Sequence, residues 1–285
     1  MVAQDVSRGR LFPRDTRLLL ATVLLGGLVL SALVGPVLWT LDPSATDLSQ
    51  ALQPPGGGHP FGTDASGRDL LARFLQGARI SLLVGVAVVL TSGLVGGLLG
   101  LLAGLSRGVI DPTVMRVMDM ILAFPSLILA MTVAVGLGAG ITSAAIGAAL
   151  TCVPVYARLL RTDIVRVIRL PHIEAARSLG IRRAWIVVRH VLPHTVPTML
   201  VQSAAVFGSA ILTLAALGFV GLGAQIPTPE WGAMITDGMG YALTGGWWVA
   251  LFPGLGLFAA VCGANLLGDA LEAWLDPRSE TRRQR

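Results

Sequence analysis

Few side chains in this sequence are of types that do chemistry, and their spacing limits what each could do. His190 and His194 stand four apart, the separation that puts two metal ligands on one helix face, with His172 nearby. Pro193 falls between them and no acid joins the set, so the spacing carries no ligand assignment. His59, Asp64, Arg68 and Asp69 form a second polar group that could suggest a metal or acid–base site. No further acid or histidine completes a ligand set there. Gly62 and Gly67 mark turns and Asp64 is expected to cap one through its side chain, which makes this group structural. Asp119 opens a long apolar run, where an acid is a functional candidate by default; its place at the end fits an interfacial anchor. Cys152 and Cys262 each lie inside an apolar run and read as small buried hydrophobes rather than a redox pair.

The basic residues exclude more than they offer. All 21 are arginine. A Walker A loop ends in Gly-Lys-Ser/Thr and Schiff-base chemistry needs a lysine amine, so neither can exist here. If ATP drives this protein, another chain binds it. Catalytic, cofactor-binding and metal residues are therefore expected to be absent from this chain. A net charge of +5 could suggest nucleic acid, but the arginines stand at the ends of apolar runs, as membrane topology requires, so no nucleic-acid partner is expected.

What remains is a stretch that handles no reactant: PHIEAARSLGIRRAWIVVRHVLP, residues 171–193. Pro171 suits the first turn of a helix, where its missing N–H is no loss. The spacing predicts a helix over 173–179, and Gly180 offers the left-handed freedom wanted just past a helix end. A second helical run, 184–190, is expected to stop at Pro193. Arg177, Arg182, Arg183 and Arg189 keep the stretch in water and charge it for a partner. Two short helices joined at a glycine, between membrane spans, make a docking surface.

The same residues carry a resemblance. Glu174-Ala175-Ala176, then Gly180, then Leu192-Pro193, is similar to the cytoplasmic EAA loop of permease subunits of binding-protein-dependent ABC importers. The residue two places before Leu192 is His190 rather than an apolar one, a variant that resembles the peptide branch. Residues 59–82, 218–238 and 247–278 resemble dipeptide, oligopeptide and nickel permeases, so the likeness covers most of the chain. It implies an all-α polytopic membrane protein of six helices with type I importer architecture, resident in the inner membrane. It also implies a second homologous permease subunit, two ATPase subunits holding ATP and magnesium, and an external substrate-binding protein. Glu174, Ala175, Ala176 and Gly180 would then form the mechanical link to the ATPase, with Leu192 and Pro193 fixing the return into the fifth span. The cargo implied is a di- or oligopeptide, with nickel or another small solute as the alternative.

Hydropathy supplies the elements that must position this loop. Hydrophobic residues are 54% and charged residues 13%, which places the chain among membrane proteins rather than soluble domains. Residues 1–17 form a basic tail, and the charge-free run 18–41 is long enough to cross a ~30 Å core. Too long for a signal peptide and without a small-x-small cleavage pattern, it reads as an uncleaved first span. Residues 42–79 form an external polar segment, and 80–278 a permease domain whose second span covers 80–105. Gly96, Gly100 and Gly104 make one smooth stripe on that span, a surface for close helix packing. The charge-free run 120–157 suits two helices broken at Gly136, Gly138 and Gly140. Pro125 and Pro154 lie inside them, marking either a gate or a fixed kink. The cytoplasmic loop 158–197 follows, then a fifth span over 198–222 and an outer loop over 223–246. Trp247 and Trp248 begin the sixth span as an interfacial aromatic pair, and 279–285 close the chain as a tail.

Arginine counts orient these spans. One side carries 4 in the tail, 2 after the second span, 8 in the loop and 4 at the end, against 3 on the other. That bias places both termini and the loop in the cytoplasm. A carrier driven by an ion gradient would need ionisable groups at mid-membrane, and the five charge-free runs contain none. An intramembrane enzyme would need paired acids, a His–Ser set or a metal cluster inside the spans, and none is present. Purified alone, the chain should hydrolyse no ATP; phosphate release above that of a heat-inactivated sample would refute the missing-lysine reasoning.

Overall fold

The computed structural model describes residues 14–106 and 108–275. Arg8, Arg10, Arg107, Arg278 and the tail 279–285 lie outside the described residues. The first apolar run is helix α1, Arg14–Leu38, and α2 covers Leu70–Leu105. Helices α3, Ile110–Leu122, and α4, Ser126–Leu137, follow, then α5, Ile141–Val167. The loop region holds α6, Pro171–Ser178, and the single turn α7, Arg183–Ile186. The chain closes with α8, Leu192–Phe219, α9, Trp231–Ala242, and α10, Trp248–Leu275. Among the described residues five helical stretches are long and apolar enough to cross a membrane, and six if the bent pair of α3 and α4 counts as one span. In lipid only helices satisfy their backbone within one segment, so each apolar run becomes one.

Four boundaries differ from the sequence reading, each for a local reason. The second helix begins at Leu70, ahead of the apolar run, because Asp69 caps it by accepting the Ala72 N–H at 2.7 Å. Hydropathy marks what lies in lipid, not where the helix starts. Pro125 is not inside a helix: it breaks the third span, with α3 and α4 meeting at 91°. Its ring disfavours helical backbone at Phe124, and Pro125 itself is extended at φ −55°, ψ 125°. Pro154, by contrast, stays within α5. Pro193 does not stop the run before it. Residues Val187–Val191 widen into a π-turn, the Leu192 N–H donates to the Val187 carbonyl, and α8 continues through Pro193 and Pro197. The wider turn makes room for a ring that would clash with the carbonyl four residues back in a regular helix. Finally, the outer loop contains α9.

Helix α9 is wedged by glycine on two sides. A Cβ at Gly232 would stand 2.6 Å from the Ala215 Cα of α8, and one at Gly238 2.5 Å from the Ala250 N of α10. Glu230 caps α9 through the Ala233 N–H at 3.1 Å and accepts a bond from the Ser81 hydroxyl of α2, also at 3.1 Å. Burial pushes this carboxyl above its ordinary range, partly offset by those donors. Trp231 is fully buried, its indole N–H on the Phe74 carbonyl at 3.3 Å.

The external segment 42–69 is tied down by polar bonds rather than by regular structure. Asp69 takes the Trp39 indole N–H at 2.9 Å and His59 at 2.7 Å, and the other His59 nitrogen meets Gln50 at 3.0 Å. Asp64 accepts the Ser66 and Arg68 amides and pairs with the Arg68 guanidinium at 2.6 Å, the Arg68 bonds buried. Arg73, also buried, reaches the carbonyls of Pro43 at 3.1 Å and Pro227 at 3.3 Å. It thereby bolts this segment to the loop before α9. Trp248 is buried too, its indole on the Thr63 carbonyl at 3.1 Å, while Trp247 is half exposed. The expected interfacial pair is therefore one interfacial residue and one bolt.

The glycine stripe of α2 seats α5. A Cβ at Gly96 would meet the Val153 carbonyl at 2.5 Å, at Gly100 the Ala157 carbonyl at 2.5 Å, and at Gly104 the Ile164 Cβ at 2.9 Å. Both termini of the bundle share one end, where Arg17 pairs with Asp269 at 3.1 Å. Gly100→Val should lower stability by roughly 1–3 kcal/mol by overpacking. Gly136→Ala, with open space around it, should leave the thermal midpoint in detergent unchanged. Equal effects of the two would contradict the contact.

Candidate functional site

The cytoplasmic loop is built outward from the last turn of α5. Three residues, 168–170, separate α5 from α6, and they continue helix-like bonding: Ile168 donates to Ile164 and Leu170 to Val167, both at 3.0 Å. So short a connection leaves α6 little freedom relative to α5. At its far end α6 closes with paired reverse bonds, Gly180 N–H to Arg177 O at 2.9 Å and Ile181 N–H to Ala176 O at 3.2 Å. Gly180 sits at φ +74°, a backbone that a residue with a Cβ adopts only at a cost.

Helical periodicity sorts α6 into faces. Ile173 and Ala176 are buried in one cluster with Leu160, Ile164 and Val167 of α5, Ile186 and Val191. Leu101 and Leu105 of α2, Ile181 and Met199 pack around it. Glu174, Ala175 and Ser178 are exposed on the opposite side. The proposed coupling residues thus split by role. Ala176 is a packing residue, whereas Glu174 and Ala175 present a surface. Gly180 is exposed with nothing near it, Leu192 is half-buried at the start of α8, and Pro193 is exposed just after it.

Beside this surface stand apolar side chains that pattern reading passed over. Leu179 is 81% exposed, Val188 66% and Trp185 52%, against a segment otherwise rich in arginine. Solvated positions in such a segment are normally polar. The clue in the sequence was the presence of these residues there at all.

The three loop histidines come together. His172 lies 6.2 Å from His190 and 5.8 Å from His194 by ring centroid, with Trp185 5.5 Å from His190. His194 bonds the His190 carbonyl through Nδ1 at 2.6 Å. Among the described residues, no group of three His, Cys, Asp or Glu side chains is disposed to hold a metal ion.

Two ion pairs join α3 to α5 near this end. Arg161 grips Asp111 with two bonds of 2.6 and 2.7 Å, and Arg158 pairs with Asp119. Both pairs are partly solvated, so they orient more than they stabilise, at about 0–1 kcal/mol each. Asp163 is buried nearby with one oxygen 3.2 Å from Arg166 and the other without a hydrogen-bond partner among the described residues. The exposed face of α6 is thus anchored through its buried side to α2, α5 and α8.

Known proteins supply the context. Residues 96–281 match the family described as the inner membrane component of binding-protein-dependent transport systems. A probable D,D-dipeptide transport system permease protein, DdpC, of Escherichia coli (strain K12) is 40% identical over 252 residues, covering 88% of this chain and 84% of that protein. The di/tripeptide transport system permease protein DppC of Pseudomonas aeruginosa (strain UCBPP-PA14) is 42% identical over 266 residues, 89% of this chain and 88% of that protein. Among solved structures, the MetNI methionine ABC transporter in an inward-facing conformation shares the fold. Its TM-score is 0.56 at 20% identity, over 71% of this chain and 96% of that one. The chain is thus a multi-pass membrane protein, N-in and C-in, and belongs to the family of inner membrane components of binding-protein-dependent transport systems.

Proposed function

We propose that this chain is one of two membrane subunits of an ATP-driven importer of short peptides. A second homologous permease completes the pathway, two ATPase subunits hold ATP and magnesium, and an external binding protein delivers the cargo. The chain itself binds no cofactor and catalyses no reaction. The peptide assignment rests on the names of its relatives, which transport D,D-dipeptides, dipeptides and di- or tripeptides. The observation that carries the mechanical role is the outward surface of α6, with Glu174 and Ala175 exposed beside Leu179 while Ile173 and Ala176 root it in the spans.

In this reading the surface seats on an ATPase subunit. Closure of the ATPase pair on ATP carries α6 with it, and the short 168–170 connection passes the movement to α5. Helices α2 and α8 follow through the shared cluster. Shifting two states from 1:99 to 99:1 needs about 5.5 kcal/mol of differential contact, which nucleotide binding supplies and this chain cannot. Gly180→Val removes the left-handed cap that aims the end of α6. In proteoliposomes holding the assembled importer, it should lower uptake of a radiolabelled dipeptide at least roughly ten-fold, about 1.4 kcal/mol, while ATP hydrolysis continues. Undiminished uptake would rule the docking role out.

A further inference from the structure

Two hollows meet where α2 ends against the loop. The first, about 360 Å³, is lined by Leu105, Ser106, Arg177, Ile181 and Arg183 among others. The second, about 580 Å³, shares Leu105, Ser106 and Arg183 and continues along Ile110, Val187 and Val188. One end is therefore basic and the other apolar. No acid lines either hollow, and neither Arg177 nor Arg183 has an acidic partner among the described residues. Arg183 covers the Leu105 carbonyl at the end of α2, which would otherwise repel an anion. Along the apolar end Ile110 is 54% exposed and Val188 66%.

Depth decides what could fill such a space. Arg79 is exposed on α2, and no charged residue follows it before Ser106. The 27 residue steps from Arg79 to Ser106 span about 40 Å of helix, the thickness of a bilayer with its headgroups. With Arg79 among the outer headgroups, Ser106 and the two arginines lie at the level of the inner ones. We propose that this double hollow binds an anionic phospholipid of the inner leaflet, its phosphate on Arg177 and Arg183 and an acyl chain along Ile110 and Val188. A free anion would use only the basic end, and a zwitterionic lipid would bring a cationic group into a basic hollow that no acid lines. The proposal requires membrane insertion alone, not the docking role of α6. Arg177 flanks the outward surface of α6, so an occupied hollow would also brace that helix against the end of α2.

The test is lipid retention by the full chain in detergent micelles offered equal phosphatidylglycerol and phosphatidylcholine, read by native mass spectrometry. Phosphatidylglycerol should be retained at least about five-fold over phosphatidylcholine, and Arg177→Gln should remove about five-fold of that preference. The Arg177 side chain makes no hydrogen bond among the described residues, and its carbonyl, which caps α6, is kept in the variant, so Arg177→Gln should fold; Arg182→Gln, away from both hollows, is the control and should change nothing. Equal retention of the two lipids would overturn the proposal, as would an equal loss from the Arg182 control, which signals diffuse charge. Displacement of phosphatidylglycerol by millimolar inorganic phosphate would reassign the site to free anions. Loss of the preference in the complex with its ATPase would mean that protein, not lipid, covers the hollow.

Discussion

Apolar surface gives helices in a bilayer no reason to prefer one another over acyl chains. What brings them together is close van der Waals contact between backbones, which lipid cannot reproduce. In this chain that contact is the seating of α5 on Gly96, Gly100 and Gly104 of α2. Its consequences run downward. Once α5 is fixed, the three-residue connection at 168–170 fixes α6. The cluster of Leu160, Ile164, Ile173, Ala176, Ile186 and Val191 then locks the loop to the ends of three spans. The proposed docking role depends on such a root, since a flexible loop would absorb the displacement.

The two ends of the bundle are held by different physics. Outside, buried polar groups do the fastening: Asp64 with Arg68, Asp69 with His59 and Trp39, and Arg73 on two carbonyls. Buried polar groups are costly unless fully partnered, and their directionality then permits one arrangement of the segment. Inside, the fastening is mainly apolar, with Asp163 buried and Arg158 and Arg161 paired to α3, while Arg177 and Arg182 stay exposed. The outer segment is thus a rigid collar, while the cytoplasmic end keeps its charge free for partners and headgroups.

Proline acts here according to its surroundings. Pro154 and Pro197 lie within helices whose neighbours tolerate the lost hydrogen bond, Pro193 is absorbed by a π-turn, and Pro125 breaks the third span outright. The same residue type has three outcomes because its cost depends on what can replace the missing N–H and relieve the ring's clash.

Local signals in the sequence determined the helical spans, their orientation, the left-handed cap at Gly180 and the turn at Gly138–Gly140, although Gly136, read as part of that break, lies inside α4. Each follows from hydropathy, charge or backbone freedom, properties that a residue carries with it anywhere. Only the tertiary structure decided which helix lies on the glycine stripe, that Ala176 faces inward while Glu174 and Ala175 face out, and that Trp248 is a bolt. It alone placed α9 in what reads as a loop, and set Leu179 and Trp185 beside the exposed face of α6. Contacts between residues far apart in the chain are set by the shapes of two surfaces at once, and no pattern along one strand of sequence records both.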